Sequence, residues 1–116
     1  MSHINSSGSG SIIPGTVVLN VTTVVFAQSP YTVLPTDEFI GVSTAGGPIT
    51  ILLPNAPLVG RTYIVKDIDG FASTDNITVT TVGGVDLIDS ATSVIMNTDF
   101  ESNSFIYGGS SNYYIY

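Results

Sequence analysis

The feature that most constrains this chain is its content of β-branched residues. Valine, isoleucine and threonine supply 40 of the 116 residues. The strong helix formers leucine, alanine, lysine, glutamate, glutamine, arginine and methionine supply only 18. β-Branched side chains lose rotamer freedom on a helix but pack well on a pleated sheet. This ratio predicts an all-β protein without long helices.

Turn residues divide the chain into short segments of about ten residues. Apolar or alternating runs such as residues 49–53 and 77–82 end at proline or at paired glycines, which is typical of strands bounded by turns. We predict nine or ten short strands in a single antiparallel β-sandwich or β-prism-like domain. The domain is expected to span residues 14–116, preceded by a flexible Ser/Gly-rich leader over residues 1–13.

Charge limits the partners of this domain. Only 9% of the residues are charged, and nine acids against two bases give a net charge of −7. Two cations cannot track a nucleic-acid backbone or an anionic membrane surface, so neither partner is expected. The absence of cysteine excludes disulfides and cysteine-based zinc sites. No stretch approaches the length of about 18 apolar residues needed to span a bilayer, and we expect no membrane insertion.

The predicted domain lacks the residues of common catalytic sites. The only histidine, His3, lies in the leader, so no Ser-His-Asp arrangement can form. The acids Asp37 and Glu38, like Asp99 and Glu101, fall in apparent turns and are expected to be solvated. We therefore predict a protein that is not an enzyme and needs no cofactor.

Two interpretations are open for the acidic segment that follows residue 66. Asp67, Asp69 and Gly70, with Asp75 nearby, resemble the start of a calcium loop, where oxygen ligands alternate along the chain. An EF-hand is excluded, because no helices flank the segment and no glutamate closes it. The favoured alternative is a tight turn between two strands, in which aspartates bond to nearby backbone.

Aromatic residues gather at the end of the chain. Because strand side chains alternate, Tyr113 and Tyr114 are expected to face opposite sides of their sheet. An exposed tyrosine can stack on a sugar ring, which makes these two residues candidates for receptor or glycan binding. The interpretation that we favour is that they close the tip of the fold or a subunit interface.

Several predicted strands carry apolar residues at adjacent positions. Val24 with Val25, and Leu52 with Leu53, are examples. A single sandwich buries one side of each strand, so apolar groups on both sides indicate a second buried surface. A symmetric oligomer would supply that surface. The alternative is that these are a few exposed apolar residues of the ordinary kind.

The order of several short motifs resembles a module of tailed-phage fibres. Residues 31–42 resemble its Y-x-V and D-x-x-I-x-V opening, and residues 49–57 resemble its I-x-L-P-x-A segment. The most specific part is residues 60–79, which resemble G-R-x-Y-x-I-K-D-x-x-G-x-A followed by N-x-I-T-I. Residues 84–89 and 105–115 are similar to its closing segments, with tyrosines in place of a terminal tryptophan.

This resemblance implies a β-rich head or shaft module of a phage tail fibre or viral capsid fibre. The expected assembly is an intertwined or closely packed homotrimer at the virion surface, outside the cell, that meets a host glycan or protein receptor. The resemblance carries over no catalytic residue and no receptor contact. The alternatives are a monomeric carbohydrate-binding module of a secreted protein and a repeat of a bacterial adhesin.

The two basic residues bracket one strand of the most specific motif. Arg61 and Lys66 stand against nine acids in the whole chain, and the strand ends at Asp67. Sparse cations in acidic surroundings favour pairing with a carboxylate. We predict a structural ion pair among Arg61, Lys66 and Asp67.

Overall fold

The structure, a computed structural model, describes residues 17–116. The predicted leader over residues 1–13 and the expected domain start at residue 14 lie outside the described residues. Ten short strands and three 3-10 turns make up the described part, which confirms the all-β prediction and the number of strands. The strands are β1 (Val21–Val24), β2 (Tyr31–Thr32), β3 (Phe39–Val42), β4 (Ile49–Leu53), β5 (Thr62–Asp67), β6 (Ile77–Thr81), β7 (Leu87–Ile88), β8 (Ser93–Met96), β9 (Ser102–Gly109) and β10 (Asn112–Ile115). The 3-10 turns are Phe26–Gln28, Thr44–Gly46 and Val82–Gly84.

The first six strands alternate between two sheets. β1, β3 and β5 lie side by side in a six-stranded sheet, whereas β2, β4 and β6 lie side by side in a four-stranded sheet. All of these neighbours are parallel. The chain therefore winds through three successive coils, each with one strand in either sheet, as in a short β-solenoid. We call β1 with β2 the first coil, β3 with β4 the second and β5 with β6 the third.

The last four strands close the third coil. β9 pairs with β5, and β8 pairs with β6, both in the antiparallel direction. β10 folds back on β9 as a hairpin and has β7 as its parallel outer neighbour. Within the described residues the first coil has no such cover, since β1 pairs only with β3 and β2 only with β4. Nothing in residues 17–116 forms a helix long and apolar enough to cross a membrane.

The predicted antiparallel arrangement is wrong for most of the fold, because five of the eight strand pairings are parallel. Proline and glycine mark a change of chain direction without showing where the next strand lies. A turn that returns the chain to the neighbouring position gives a hairpin, and a corner that sends it to the opposite sheet gives a coil. Strand length and turn spacing are similar in both cases, so the sequence pattern does not separate them.

Alternation of side chains places the core between the two sheets. In β4 and β6 every second residue points inward and is buried, as Ile51 shows. Tyr63, Phe105 and Tyr113 are the largest of the fully buried side chains. Tyr107 meets Tyr113 edge to face with ring centroids 5.1 Å apart, which is a favourable aromatic geometry.

Apolar residues also lie on the outer face of the six-stranded sheet. The register places Val21 beside Phe39 and Phe39 beside Ile64 across three parallel strands. Ile106 and Tyr114 are neighbours on the same face, in the antiparallel part of the sheet. Val21 and Tyr114 are exposed and the other three are half-buried. We call these five residues the outer apolar face. That a second surface buries this face stays a prediction.

Adjacent residues of β4 offer a test of this packing. Ile51 is fully buried, whereas Leu52 is half-buried on the outside of its sheet. We expect Ile51→Ala to lower the free energy of unfolding by about 2–5 kcal/mol, because it leaves a cavity between the sheets. Leu52→Ala is the matched control and should cost about 1 kcal/mol or less. Urea titration followed by tyrosine fluorescence measures both, and equal losses would contradict the two-sheet core.

Candidate functional site

Asp67 ends β5 and is fully buried. Its two carboxylate oxygens accept five hydrogen bonds. The donors are the Thr44 hydroxyl and the backbone N–H groups of Asp69, Gly70, Ala72 and Phe100, at distances of 2.7–3.1 Å. These donors replace the hydrogen bonds to water that the carboxylate loses on burial. Since they come from three separate segments of the chain, the carboxylate holds three turns together.

The same donors set the ionisation of Asp67. Burial alone would raise the pKa of its carboxyl group. The hydrogen bonds from the Phe100 N–H and the Thr44 hydroxyl, with those from Gly70 and Ala72, outweigh burial and lower the pKa to about 2. Asp67 is therefore a carboxylate at neutral pH.

The candidate calcium loop of Asp67, Asp69 and Asp75 is a turn held by its own carboxylates. Asp67 faces N–H and O–H donors, whose positive ends would repel a cation. Asp69 accepts hydrogen bonds from the Ser43 hydroxyl and the Ala45 N–H. Residues 17–116 bring no three histidine, cysteine, aspartate or glutamate side chains together as a metal site. The interpretation as a tight turn is the one that the contacts support.

Arg61 binds main-chain oxygens instead of a carboxylate. Its Nη2 donates to the carbonyl oxygens of Pro35 and Asp37, at 2.6 Å in each case. Its guanidinium group stacks on the Tyr63 ring, with Cζ 4.6 Å from the ring centroid. The arginine therefore fixes the turn before β3 against the start of β5.

Lys66 likewise has a main-chain partner. Its Nζ donates to the Phe100 carbonyl oxygen at 2.7 Å. Lys66 and Asp67 are successive residues of one strand, so their side chains point to opposite faces of the sheet. The structure therefore does not show the ion pair predicted among Arg61, Lys66 and Asp67, because both cations bind carbonyl oxygens.

The expectation that Asp37 is a solvated turn residue is wrong. Asp37 is buried and accepts hydrogen bonds from the hydroxyls of Thr22 and Tyr31, both at 2.6 Å, and from the Leu34 N–H at 2.8 Å. Burial would raise the pKa of Asp37, but these bonds and the nearby charge of Arg61 lower it. Burial and the bond to Asp37 raise the pKa of Tyr31 to about 12. Asp37 thus joins the two strands of the first coil.

A cleft of about 380 Å³ opens beside Arg61. Its lining residues are Pro35, Pro54, Asn55, Pro57, Leu58, Arg61 and Tyr63. This volume lies at the small end of the range of roughly 300–1,000 Å³ for ligand pockets. No sequence motif predicts the cleft, because its walls come from two separate turns. The proline-rich turn at residues 54–57 is the one local signal that points towards it.

The structure separates the two candidate receptor tyrosines. Tyr113 is fully buried, its hydroxyl donates to the Pro54 carbonyl at 2.5 Å, and burial raises its pKa. A receptor cannot reach this side chain, so burial removes Tyr113 from receptor binding. Tyr114 is 48% exposed, as alternation predicts, and its ring lies against Gly108, where a β-carbon would overlap it. Tyr114 stays a candidate.

No protein-family model matches the chain, and no curated protein is significantly similar to it. The outer apolar face and the cleft beside Arg61 are two surfaces of the described part that a partner could contact.

Replacement of the Asp67 carboxylate tests how much of the fold depends on it. Asparagine presents an NH2 group to N–H donors, so we expect Asp67→Asn to lower the free energy of unfolding by roughly 2–4 kcal/mol at neutral pH. Asp75→Asn, in the same turn and partly exposed, is the control and should change it by less than about 0.5 kcal/mol. Chemical denaturation at neutral pH measures both variants.

Lowering the pH should remove the stability that the ionised Asp67 carboxylate contributes. The pKa of Asp67 in the folded protein, about 2, lies below its ordinary value of 3.8. Its contribution to stability is therefore complete above about pH 4 and is lost as the pH falls towards 2. Thermal melts across this range should show a steeper loss of stability in the wild-type protein than in Asp67→Asn. Parallel curves would contradict the role assigned to the carboxylate.

Proposed function

We propose that the domain is a structural and attachment module without catalytic activity, a homotrimeric head or shaft unit of a phage or viral fibre. It is displayed at the virion surface, where it meets a host glycan or protein receptor. The observation that carries this proposal is the outer apolar face. The resemblance of residues 31–116 to fibre modules supports the same role.

Within residues 17–116 no strand or turn covers the outer apolar face, and two of its five residues, Val21 and Tyr114, are exposed. An apolar patch on an exposed sheet is unfavourable in water until another surface covers it. Its five residues are uncharged, so covering them buries no unpaired charge, and Lys66 on the same side of β5 is held by the Phe100 carbonyl. Three copies around a three-fold axis would each cover this face in a closed arrangement.

A monomeric carbohydrate-binding module is the second candidate. Tyr114 favours it, because the ring is half exposed and rests on Gly108. One ring face is then free to stack on a sugar. In this case Tyr114 is a binding residue and not an interface residue.

The mass of the protein in solution separates these candidates. We expect size-exclusion chromatography with light scattering to give three times the chain mass of 12.1 kDa. Ile106→Glu places a charge within the outer apolar face and should release single chains, because a buried unpaired charge is strongly unfavourable. Thr78→Glu, on the outside of the four-stranded sheet, is the control and should keep the oligomer. A wild-type monomer would refute the trimer.

Thermal unfolding should depend on protein concentration. If folding is coupled to assembly, mass action raises the Tm of the wild-type protein as its concentration rises. Ile106→Glu should melt at a lower Tm that does not change with concentration. Scanning fluorimetry over about a hundredfold range of concentration makes the comparison. A constant wild-type Tm over that range would show that folding is independent of assembly.

A further inference from the structure

The cleft is lined by a tyrosine whose hydroxyl has no hydrogen-bond partner in the described part of the chain. Tyr63 is 1% exposed and packs between Tyr113 and Arg61. Its hydroxyl makes no hydrogen bond with residues 17–116, whereas every fully buried side-chain oxygen and nitrogen among them has a partner. Tyr63 is one of the residues that line the cleft. A phenol in this position can both donate to and accept from a ligand.

Arg61 places further donors next to this hydroxyl. Its Nη2 is held by two carbonyl oxygens, and its guanidinium group stacks on the Tyr63 ring. Nε and Nη1 make no hydrogen bond with the described residues and are not sealed from solvent. A guanidinium group fixed in this way loses little conformational freedom when a ligand oxygen binds.

The charge beside the cleft is close to balanced. The hydrogen bonds to Asp37 and the nearby Arg61 lower the pKa of Asp37, so its carboxylate is ionised at neutral pH. That charge offsets the charge of Arg61, and the chain as a whole carries −7. An anionic ligand would be repelled at long range and would gain little at the site. A neutral ligand with many hydroxyl groups is favoured.

The lining of the cleft narrows the class of possible ligands further. Three prolines and Leu58 present apolar surface. Asn55 uses its Nδ2 to bind the Val82 carbonyl, which leaves its amide oxygen for a ligand. A pyranose ring has an apolar face of C–H groups and an edge of hydroxyls, and both match this lining. The small volume suits one ring and not a large ligand.

We infer that the cleft binds one neutral pyranose. The hydroxyl groups of the sugar form hydrogen bonds with the Tyr63 hydroxyl and the Arg61 N–H groups, and the apolar face of its ring packs against Pro57 and Leu58. The inference rests on the proposed attachment function and gives that function a site and a ligand class. The ligand is a neutral sugar residue of a surface glycan. The site is the cleft and not Tyr114 on the outer face.

Saturation-transfer NMR on the intact protein tests this site. The probes are free galactose, mannose, glucose and N-acetylglucosamine, with glucuronic acid as the charged comparison. At least one neutral sugar should bind, and should bind more tightly than glucuronic acid. Tyr63→Phe keeps the buried ring and removes only the hydroxyl, so it should weaken that binding about tenfold. Leu58→Ala changes a side chain that is 85% exposed and should weaken binding about threefold with the fold intact.

Control variants separate the cleft from other surfaces. Ile95→Ala, on the exposed side of β8 and outside the cleft, should leave binding unchanged. Loss of binding in Tyr114→Ala, with Tyr63→Phe unaffected, would overturn the inference. Failure of all four neutral sugars to bind, or tighter binding of glucuronic acid, would also overturn it. Light scattering on the same samples tests the two proposals separately. A trimer that binds no sugar refutes sugar binding by the cleft but not the assembly. A monomer that binds sugar refutes only the trimer.

Discussion

Buried aspartates hold the strands and corners of this protein to one another. In a fold of parallel strands the backbone ladders join neighbouring strands, but the corners that carry the chain between sheets need bonds of their own. Asp67 supplies them, because it accepts from Thr44 after β3, from Gly70 after β5 and from Phe100 before β9. One carboxylate therefore links the second coil, the third coil and the closing strands. Asp37 does the same for the two strands of the first coil. A chain with so few charged residues thus buries three aspartates, Asp37, Asp67 and Asp86, and each carboxylate accepts hydrogen bonds from other segments.

The part of the fold that follows from local chemistry could be predicted from the sequence. β-Branched content and turn spacing predict nine or ten short strands, and alternation predicts that Tyr113 and Tyr114 face opposite sides. The parallel order of the coils could not be predicted, because it depends on which sheet a strand enters after each corner. Neighbours such as Val21 and Phe39 are brought together by the intervening β2. Nothing within either strand encodes that pairing.

The candidate site could not be predicted from the sequence either, because it too depends on contacts between distant parts of the chain. Arg61 stands out as one of two cations, and its acidic surroundings favour a carboxylate partner. The structure gives it carbonyl oxygens that lie 26 and 24 positions earlier, at Pro35 and Asp37. Its stacking on Tyr63 depends on a ring that is otherwise part of the core. Sequence motifs show which residue types are present and how far apart they lie along the chain. They do not show the long-range contacts between turns that form the cleft.

Assembly and ligand binding use opposite sides of one strand in this proposal. β5 contributes Ile64 to the outer apolar face, and the residue before it, Tyr63, lines the cleft. Because side chains alternate along a strand, a trimer that covers the first surface need not cover the second. A cleft for a single sugar ring binds weakly by itself, since few atoms can make contact. Three clefts displayed together on a rigid trimer would raise the overall avidity by about 10²–10⁴ without any new contact. Under this proposal the weakness of one cleft is compatible with firm attachment of a fibre, because assembly through the outer apolar face would bring three clefts together.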